Sequence, residues 1–303
     1  KSKLKNYSTL QQIMDDKYKG IIPCFFRIKQ KEGKWIVKDL GFSFLYRQPY
    51  DKSIHDCLPE KLKNNYGIDM TQSVFGYSNS KNSLKGRISF SNSFLEHVEI
   101  DDKQTFIMGK PKATYYPFYL IQDKTGGVNT YFHDKATIAG WKRNLIQPNA
   151  QKGTSSGKPK IETSFIPIKA GASFKCKLRF HNLKEYELGA LLSAITFHNS
   201  MDCFHLLGYA KPLGYGKFSC TNIRLNVLFD NSVKIEYYIS KFEDEIRTKT
   251  DFSSWNKTLS LLMKYARGCY EVNKTIRYPD LNSKEFEQIK NSKLRLSDFN
   301  PNF

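Results

Sequence analysis

The chain has 303 residues, of which 40% are hydrophobic and 14% aromatic, and 48 lysines and arginines outnumber 29 acidic residues to give a formal net charge of +19. This composition excludes a disordered protein, and no apolar run reaches the roughly 18 residues of a membrane helix. The charge favours a polyanionic partner such as nucleic acid. The alternatives are an anionic lipid surface and a basic surface that only keeps the protein in solution.

The remaining global features exclude several classes of site. The six cysteines lie far apart and form no CxxC pair, so we expect no zinc site of the usual spacing and assign no metal. No amphipathic basic helix with a wide apolar face is evident, so we expect no membrane partner. The N-terminal stretch lacks the apolar segment of a secretory signal, which predicts a cytoplasmic protein. Because the chain opens without methionine, we interpret residues 1–20 as the end of a preceding region and the sequence as a fragment.

The first predicted elements are β-hairpins and a strand. Residues 21–46 alternate apolar and basic positions around the turn KQKEGKW, which predicts a hairpin. The stretch LKGRISFSNSF alternates again, with Ile88 and Phe90 on one face. Residues 115–132 predict a second hairpin with Gly126 and Gly127 at its tip.

Residues 147–164 read QPNAQKGTSSGKPKIETS and contain few side chains that could be buried. Such a segment cannot offset the entropic cost of ordering its backbone. The sequence therefore predicts a mobile insertion here.

Residues 171–183 show the clearest strand pattern in the chain. Apolar side chains alternate with cations, which predicts one core face and one cationic face. The apolar face consists of Phe174, Cys176, Leu178 and Phe180. The cationic face consists of Lys175, Lys177, Arg179 and His181, and we expect it to contact a phosphate backbone.

The elements that follow predict an α+β fold. Glu187 opens an amphipathic helix, a glycine-rich turn follows, and residues 223–229 alternate as a second long strand. Strand, helix, turn and strand in this order predict a split β-α-β half of a ferredoxin-like domain. The stretch VKIEYYIS predicts a further strand, and a helix with Trp255 on its apolar stripe follows. We thus expect one domain over residues 21–264 and a C-terminal tail over residues 265–303.

The turn LGYAKPLGYGKFS, residues 207–219, has two open interpretations. In the first, its glycines let the backbone approach RNA and donate N–H groups to phosphate, while lysines add charge and tyrosines stack on bases. The RNA-contacting residues would be Gly208, Tyr209, Lys211, Gly214, Tyr215, Gly216 and Lys217. In the second, the turn is a tight connection with Gly214 and Gly216 at positive φ. A nucleotide-binding P-loop is excluded, since no Lys–hydroxyl pair follows the second glycine.

Two further basic clusters have the same two interpretations. LKGR places Lys85 and Arg87 before a strand, and GWKRN places Trp141 beside Lys142 and Arg143. An indole next to two cations suits a splayed single-stranded base, although such a tryptophan is also common in protein cores.

Five segments, in their order along the chain, resemble a known family. In chain order the segments are GFSFLYRQPYDKSIHDCLP, FGYSNSKNSLKGRISFSNSF, GWKRN, ELGALLSAI and HLLGYAKPLGYGKF. The chain is similar in these segments to the repeat-associated mysterious proteins (RAMPs) of type III CRISPR effectors. The resemblance covers about residues 20–240. It implies a ferredoxin-like (RRM-like) domain with inserted hairpins and loops. The family's usual first strand and guide-binding motif are not evident.

The function that the resemblance implies is an RNA-binding backbone-type subunit in antiviral defence. It would hold guide RNA and paired target RNA beside other effector subunits or domains. Contacts from the glycine turn, LKGR and GWKR would go to phosphate and 2′-OH groups, which leaves sequence choice to base pairing.

Two alternatives stay open. Some relatives cut target RNA with a loop aspartate and a divalent metal, for which Asp51 and Asp56 are the candidate catalytic residues. Both aspartates can equally be ordinary surface acids, so we expect a non-catalytic binder without cofactor, and Mg²⁺ only if the chain is an endoribonuclease. The other alternative is a general basic RNA-binding protein unrelated to CRISPR.

Overall fold

The computed structural model describes residues 24–43, 45–63, 67–109, 113, 116, 119–122, 128–140, 143–227 and 233–268. The helices are α1 (Glu60–Lys63), α2 (Met70–Phe75), α3 (Glu185–Thr196), α4 (Ile235–Lys249) and α5 (Phe252–Arg267). The strands are β1 (Phe25–Lys31), β2 (Lys34–Gly41), β3 (Tyr77–Ser78), β4 (Ser83–Leu84), β5 (Ile88–Phe90), β6 (Phe94–His97), β7 (Gln104–Ile107), β8 (Glu162–Phe165), β9 (Ser173–Lys175), β10 (Leu178–Phe180), β11 (His205–Leu206) and β12 (Lys217–Phe218). The α+β class is thus confirmed.

The first predicted hairpin is present as β1 and β2. The strands pair antiparallel, and Gly33 takes a positive φ of 76° in the turn between them. On one face the cross-strand pairs Phe26–Leu40 and Ile28–Val37 are each more than half exposed. On the other face Arg27 forms an ion pair with Asp39 and lies over the ring of Phe132, which attaches the hairpin to residues 128–140.

Six short strands form one long two-stranded ribbon, which we call the ribbon. It pairs residues 88–107 with residues 162–180 through β5–β10, β6–β9 and β7–β8. An Ile100–Ile168 bridge joins the second and third of these pairs. The register is nearly constant, as Ile88 lies opposite Phe180 and Ile107 lies opposite Glu162. At about 3.3 Å per residue, twenty residues would span on the order of 60 Å if straight.

The main core lies at the β5–β10 end of the ribbon, which we call the near end. Helices α3 and α4 pack against each other and bury Leu188, Leu191, Leu192, Tyr238 and Ile239. The near end contributes Ile88, Leu178 and Phe180 to this core. The amphipathic helix predicted from Glu187 is confirmed, and it begins at Glu185.

Two predicted strands differ from the structure. The stretch VKIEYYIS lies largely in helix α4, where Ile235, Tyr238 and Ile239 recur at i, i+3 and i+4 and face α3. Its β-branched and aromatic residues suggested a strand, and packing on α3 overrides that local preference. Residues 221–227 form no strand, although Leu225 and Val227 still pack against the core.

The strand predicted over residues 171–183 is interrupted. It divides into β9 and β10, which pair with β6 and β5 on the other side of the ribbon. Leu178 and Phe180 face the core as predicted, whereas Phe174 is 52% exposed and Cys176 is exposed. The predicted core face therefore holds only at the near end.

Smaller clusters complete the described part of the chain. Cys57, Leu120, Tyr131 and Ala136 form a second buried cluster. The predicted helix with Trp255 is confirmed as α5, which packs through Ala266 on Phe197 and Cys203.

Three predictions fall outside the described residues: the hairpin tip at Gly126 and Gly127, the segment 1–20 and the tail from 269 onward. None of the helices in the described ranges is long and apolar enough to cross a bilayer.

Candidate nucleic-acid interface

The glycine turn connects β11 to β12, and four of its residues have left-handed backbone. Ala210 has φ 51°, and Gly208, Gly214 and Gly216 have φ 81°, 92° and 77°. A 3₁₀ helix over Lys211–Leu213 lies between them. The β11–β12 pair closes the turn, with Leu206 opposite Lys217.

Two of the three glycines are explained by contacts inside the protein. A Cβ added to Gly216 would lie 1.8 Å from the carbonyl oxygen of Leu207, and one added to Gly214 would lie 2.4 Å from that of Asn149. Glycine is therefore required at both positions for close backbone packing as well as for positive φ. The backbone here faces its own chain, which favours the structural interpretation for Gly214 and Gly216.

The start of the turn faces outward. A Cβ added to Gly208 would meet no atom within 4 Å. Tyr209 is 54% exposed and leans edge-on against Phe165, with ring centroids 5.8 Å apart. Lys211 donates from Nζ to the carbonyl oxygen of Gly208 at 2.7 Å, which keeps its charge beside the exposed backbone. Gly208, Tyr209 and Lys211 can thus be reached by a ligand.

The second half of the turn is tied to residues 147–151. Tyr215 donates its hydroxyl to the carbonyl oxygen of Gln151 at 2.7 Å, and burial raises the pKa of Tyr215. Lys217 Nζ donates to the carbonyl oxygens of Gln147 and Pro148 at 3.0 and 2.8 Å. Both side chains that the sequence assigns to RNA therefore have partners within the protein.

These contacts bear on the predicted mobile insertion at 147–164. The N–H of Gln151 donates to Leu213, the N–H of Gly153 donates to the Gln104 side chain, and residues 162–165 form β8. The glycine turn and the ribbon thus supply partners to this segment. Its mobility stays a prediction.

The ribbon end formed by β7 and β8, which we call the far end, is held to the turn by aromatic rings. The centroid of Tyr215 lies 5.1 Å from that of Phe165 and 6.0 Å from that of Phe106. Tyr209 contacts the same Phe165 from the outside. The far end, the glycine turn and residues 147–158 thus form one surface.

The cations predicted on the strand at 171–183 are exposed. Lys177 and Arg179 flank Leu178, which faces the core at the near end, and Lys175 lies two residues before Lys177. Lys175 comes within 3.9 Å of Glu96, but 72% and 54% of these two side chains are exposed, so the pair is weak. Lys175 lies in β9, Arg179 lies in β10, and Lys177 lies between these two strands.

Arg87 is a correction to the sequence prediction. Its guanidinium makes five hydrogen bonds: to the carbonyl oxygens of Ser73 and Asn182, to the Ser73 hydroxyl, and to both carboxylate oxygens of Glu187. Five is the full number of N–H donors that arginine has. Arg87 has no donor left for RNA, whereas Lys85, two residues earlier, is exposed.

The electrostatics of this pair agree with a structural role. The Glu187 carboxylate raises the pKa of Arg87. Burial pushes the pKa of Glu187 up, but hydrogen bonds from Arg87, the Lys184 N–H and Ser73 outweigh it and hold that pKa below its ordinary value. The LKGR motif therefore fastens the near end of the ribbon to helix α3.

Of the remaining predicted residues, Arg143, Asp51 and Asp56 lie among the described residues. Trp141 and Lys142 lie outside the described residues, and Arg143 is exposed. Asp56 accepts hydrogen bonds from the N–H and hydroxyl of Ser53 at 2.8 and 2.7 Å, and these lower the pKa of Asp56. Asp51 is paired with Lys38 Nζ at 2.6 Å. Within the described ranges no three His, Cys, Asp or Glu side chains cluster as metal ligands would.

One polar network was missed by the sequence reasoning. Glu162, the first residue of β8, accepts hydrogen bonds from Ser155, Ser156 and Lys158. The only sequence signal was GTSSGK, which also fits an unstructured loop. No protein-family model matches the chain, and the curated proteins searched contain no match to it.

Proposed function

We propose that the chain binds RNA along the ribbon and the adjoining glycine turn, as a backbone-type subunit of a type III CRISPR effector complex. Guide RNA and its paired target are the ligands, and other effector subunits are the protein partners. A ferredoxin-like (RRM-like) domain and a cytoplasmic location belong to the same proposal. The resemblance of the quoted segments supports the CRISPR part of it.

One observation carries the RNA-binding part: three exposed cations lie at alternate positions along one side of the ribbon, Lys175 in β9, Arg179 in β10 and Lys177 between these strands. Residues i and i+2 of a strand are about 6.6 Å apart, so Lys175, Lys177 and Arg179 can each approach a different phosphate of one extended strand. The outward part of the glycine turn, Gly208 with Tyr209, offers open backbone and an exposed aromatic ring beside the far end of the ribbon.

The contacts expected from this surface are to the RNA backbone. Lysines and an arginine without a rigid pocket recognise phosphate, and they contain no arrangement that would read base edges. Sequence choice would then rest on base pairing between guide and target. The protein would bind many sequences with similar affinity.

The test is RNA affinity after removal of the three ribbon cations. In fluorescence anisotropy with single-stranded RNA and with a guide–target duplex, we expect the Lys175→Ala, Lys177→Ala, Arg179→Ala triple variant to bind at least 10-fold more weakly. Its log–log salt slope should be shallower by about 2, since each lost phosphate contact on a single strand contributes about 0.7. Equal affinity to the wild-type chain would refute the proposal.

A matched control removes the same number of positive charges elsewhere. Lys234, Lys249 and Lys257 are exposed on or beside α4 and α5 and belong to no ribbon strand. Replacing these three with alanine should change affinity less than 2-fold. The same assay with Mg²⁺ tests the endoribonuclease alternative: RNA cleavage that EDTA and Asp56→Ala both abolish would favour it.

A further inference from the structure

A short loop beside β8 carries hydrogen-bond donors that converge on one carboxylate. We call residues 155–158, with the sequence Ser-Ser-Gly-Lys, the serine loop. Glu162 Oε1 accepts from the Ser156 N–H at 2.5 Å, the Ser156 hydroxyl at 2.7 Å and the Lys158 N–H at 3.3 Å. Glu162 Oε2 accepts from the Ser155 hydroxyl at 3.0 Å. Two backbone N–H groups and two hydroxyls therefore surround one anionic group.

The backbone of the loop has the form of an anion-binding nest. Gly157 takes a φ of 75°, and its N–H donates to the Ser155 hydroxyl at 3.2 Å. Left-handed glycine at this point turns the N–H groups on either side of it toward one point, as in the nests that hold phosphate. The hydrogen bonds, led by that from the Ser156 hydroxyl, lower the pKa of Glu162 to about 2, so the nest holds a full negative charge at neutral pH.

The loop is accessible and lies next to the proposed interface. Residues 155–158 are all exposed, and so are Lys152 and Lys160 on either side. Gln151, at the start of this segment, is bonded to the glycine turn through Leu213 and Tyr215. A strand of RNA on the glycine turn would therefore pass close to the serine loop.

We propose that the serine loop is a phosphodiester-binding site, and that the Glu162 carboxylate occupies its donors until an RNA phosphate replaces it. This inference rests on the proposed function. The exchange conserves charge, because a carboxylate and a phosphodiester each carry one negative charge and two acceptor oxygens at neutral pH. Both accept charge-assisted hydrogen bonds from backbone N–H and hydroxyl groups. Glu162 then competes with RNA and sets the affinity of this site.

The first experiment uses inorganic phosphate, which does not require RNA binding. Glu162→Ala empties the nest, so phosphate should shift the backbone amide NMR signals of Ser156 and Lys158 at a concentration at least 3-fold lower than in the wild-type chain. Adding Gly157→Ala forces a side chain into left-handed backbone and should remove this response. No phosphate-dependent shift in Glu162→Ala would overturn the proposal.

The second experiment measures RNA affinity. Glu162→Ala should bind single-stranded RNA about 3- to 10-fold more tightly than the wild-type chain. Glu99→Ala is the control, since Glu99 is also on the ribbon and makes the same change in net charge, with only an exposed pair to Lys169. In the Glu162→Ala background, Gly157→Ala should cancel the gain, while Gly33→Ala, another open left-handed glycine, should not.

The two experiments separate the failure of this inference from that of the proposed function. If the wild-type chain binds no RNA but phosphate shifts the loop signals of Glu162→Ala, the RNA proposal fails and the loop is a site for free phosphate. If RNA binds equally to Glu162→Ala and Glu99→Ala, RNA binding stands and the serine loop has no part in it. If Glu162→Ala weakens RNA binding, Glu162 only closes the loop and the inference is overturned.

Discussion

The two ends of the ribbon are held by different kinds of contact. At the near end, Ile88, Leu178 and Phe180 pack on α3 and α4. Arg87 forms an ion pair with Glu187 there, and all of its N–H donors are used within the protein. At the far end the contacts are aromatic and local, through Phe165 and the glycine turn, and the loops around it are exposed.

This difference separates residues that build the fold from those that can meet a ligand. A basic residue belongs to the first group when its hydrogen-bond donors are already used within the protein, as for Arg87. A glycine belongs to it when protein atoms occupy the space that a Cβ would need, as for Gly216. It belongs to the second when it is exposed with open surroundings, as for Arg179 and Gly208. Matched substitutions within each pair test this division.

The largest effect is expected from Arg87→Ala. Removing one partner of this pair leaves the Glu187 carboxylate, whose side chain is 5% exposed, without its cation, so the free energy of unfolding should fall by about 3 kcal/mol. Arg179→Ala on the same ribbon should stay within about 0.5 kcal/mol. Urea denaturation followed by circular dichroism measures both, and similar losses in the two variants would contradict the division.

Gly216→Ala should follow in size. Its Cβ would collide with the Leu207 carbonyl at a positive φ, which predicts a loss of about 2 to 3 kcal/mol in unfolding free energy. Gly208→Ala has the same backbone strain with open space around it, so about 1 kcal/mol is expected. The comparison uses the same denaturation assay. If Gly208→Ala is less stable than Gly216→Ala, the contact with the Leu207 carbonyl does not determine which glycine is required.

Acidification should weaken the near end. The folded-state pKa of Glu187 lies below its ordinary value of 4.5, so the stability from its ionised form is present above pH 4.5 and is lost as pH falls through the lowered pKa. Glu187→Gln should therefore show a flatter dependence of unfolding free energy on pH in that acidic range. Parallel curves for the wild-type chain and Glu187→Gln would show that the carboxylate contributes nothing through its charge.

The smallest effect is expected at the far end. Tyr215→Phe removes a half-buried hydrogen bond to the Gln151 carbonyl, which should cost about 1 kcal/mol. Tyr209→Phe, on the exposed side of the same Phe165, should leave stability unchanged and serves as the control. Thermal unfolding resolves this difference, and equal midpoints for the two variants would mean that the Tyr215 bond does not hold the turn.

The sequence predicted the local elements whose periodicity matches their packing. The hairpin β1–β2 and helices α3 and α5 follow directly from alternating or i, i+3, i+4 apolar spacing. Helix α4 did not, since Ile235, Tyr237 and Tyr238 also suit a strand, and the contact with α3 that decides between them is distant in sequence.

The candidate site could be predicted only in part, for a related reason. The sequence shows which residues are basic but not which acids they meet. Arg87 finds its partner 100 positions away at Glu187, and Lys217 finds carbonyl oxygens 70 and 69 positions away. By contrast, the exposure of the cations within residues 171–183 could be predicted from the local alternation alone, and they are exposed in the structure.

The pairing of distant segments in the ribbon has a consequence for how the protein folds. Ile88 pairs with Phe180 and Ile107 with Glu162, so the strands over residues 88–107 must wait for partners that are synthesised many residues later. Contacts of such long sequence separation slow folding because loop-closure entropy opposes them until neighbouring pairs have formed. We therefore expect the packed helices α3 and α4 to collapse first and to nucleate the ribbon from Arg87 outward, so that the far end, with β7, β8 and the glycine turn, is the last part of the molecule to assemble.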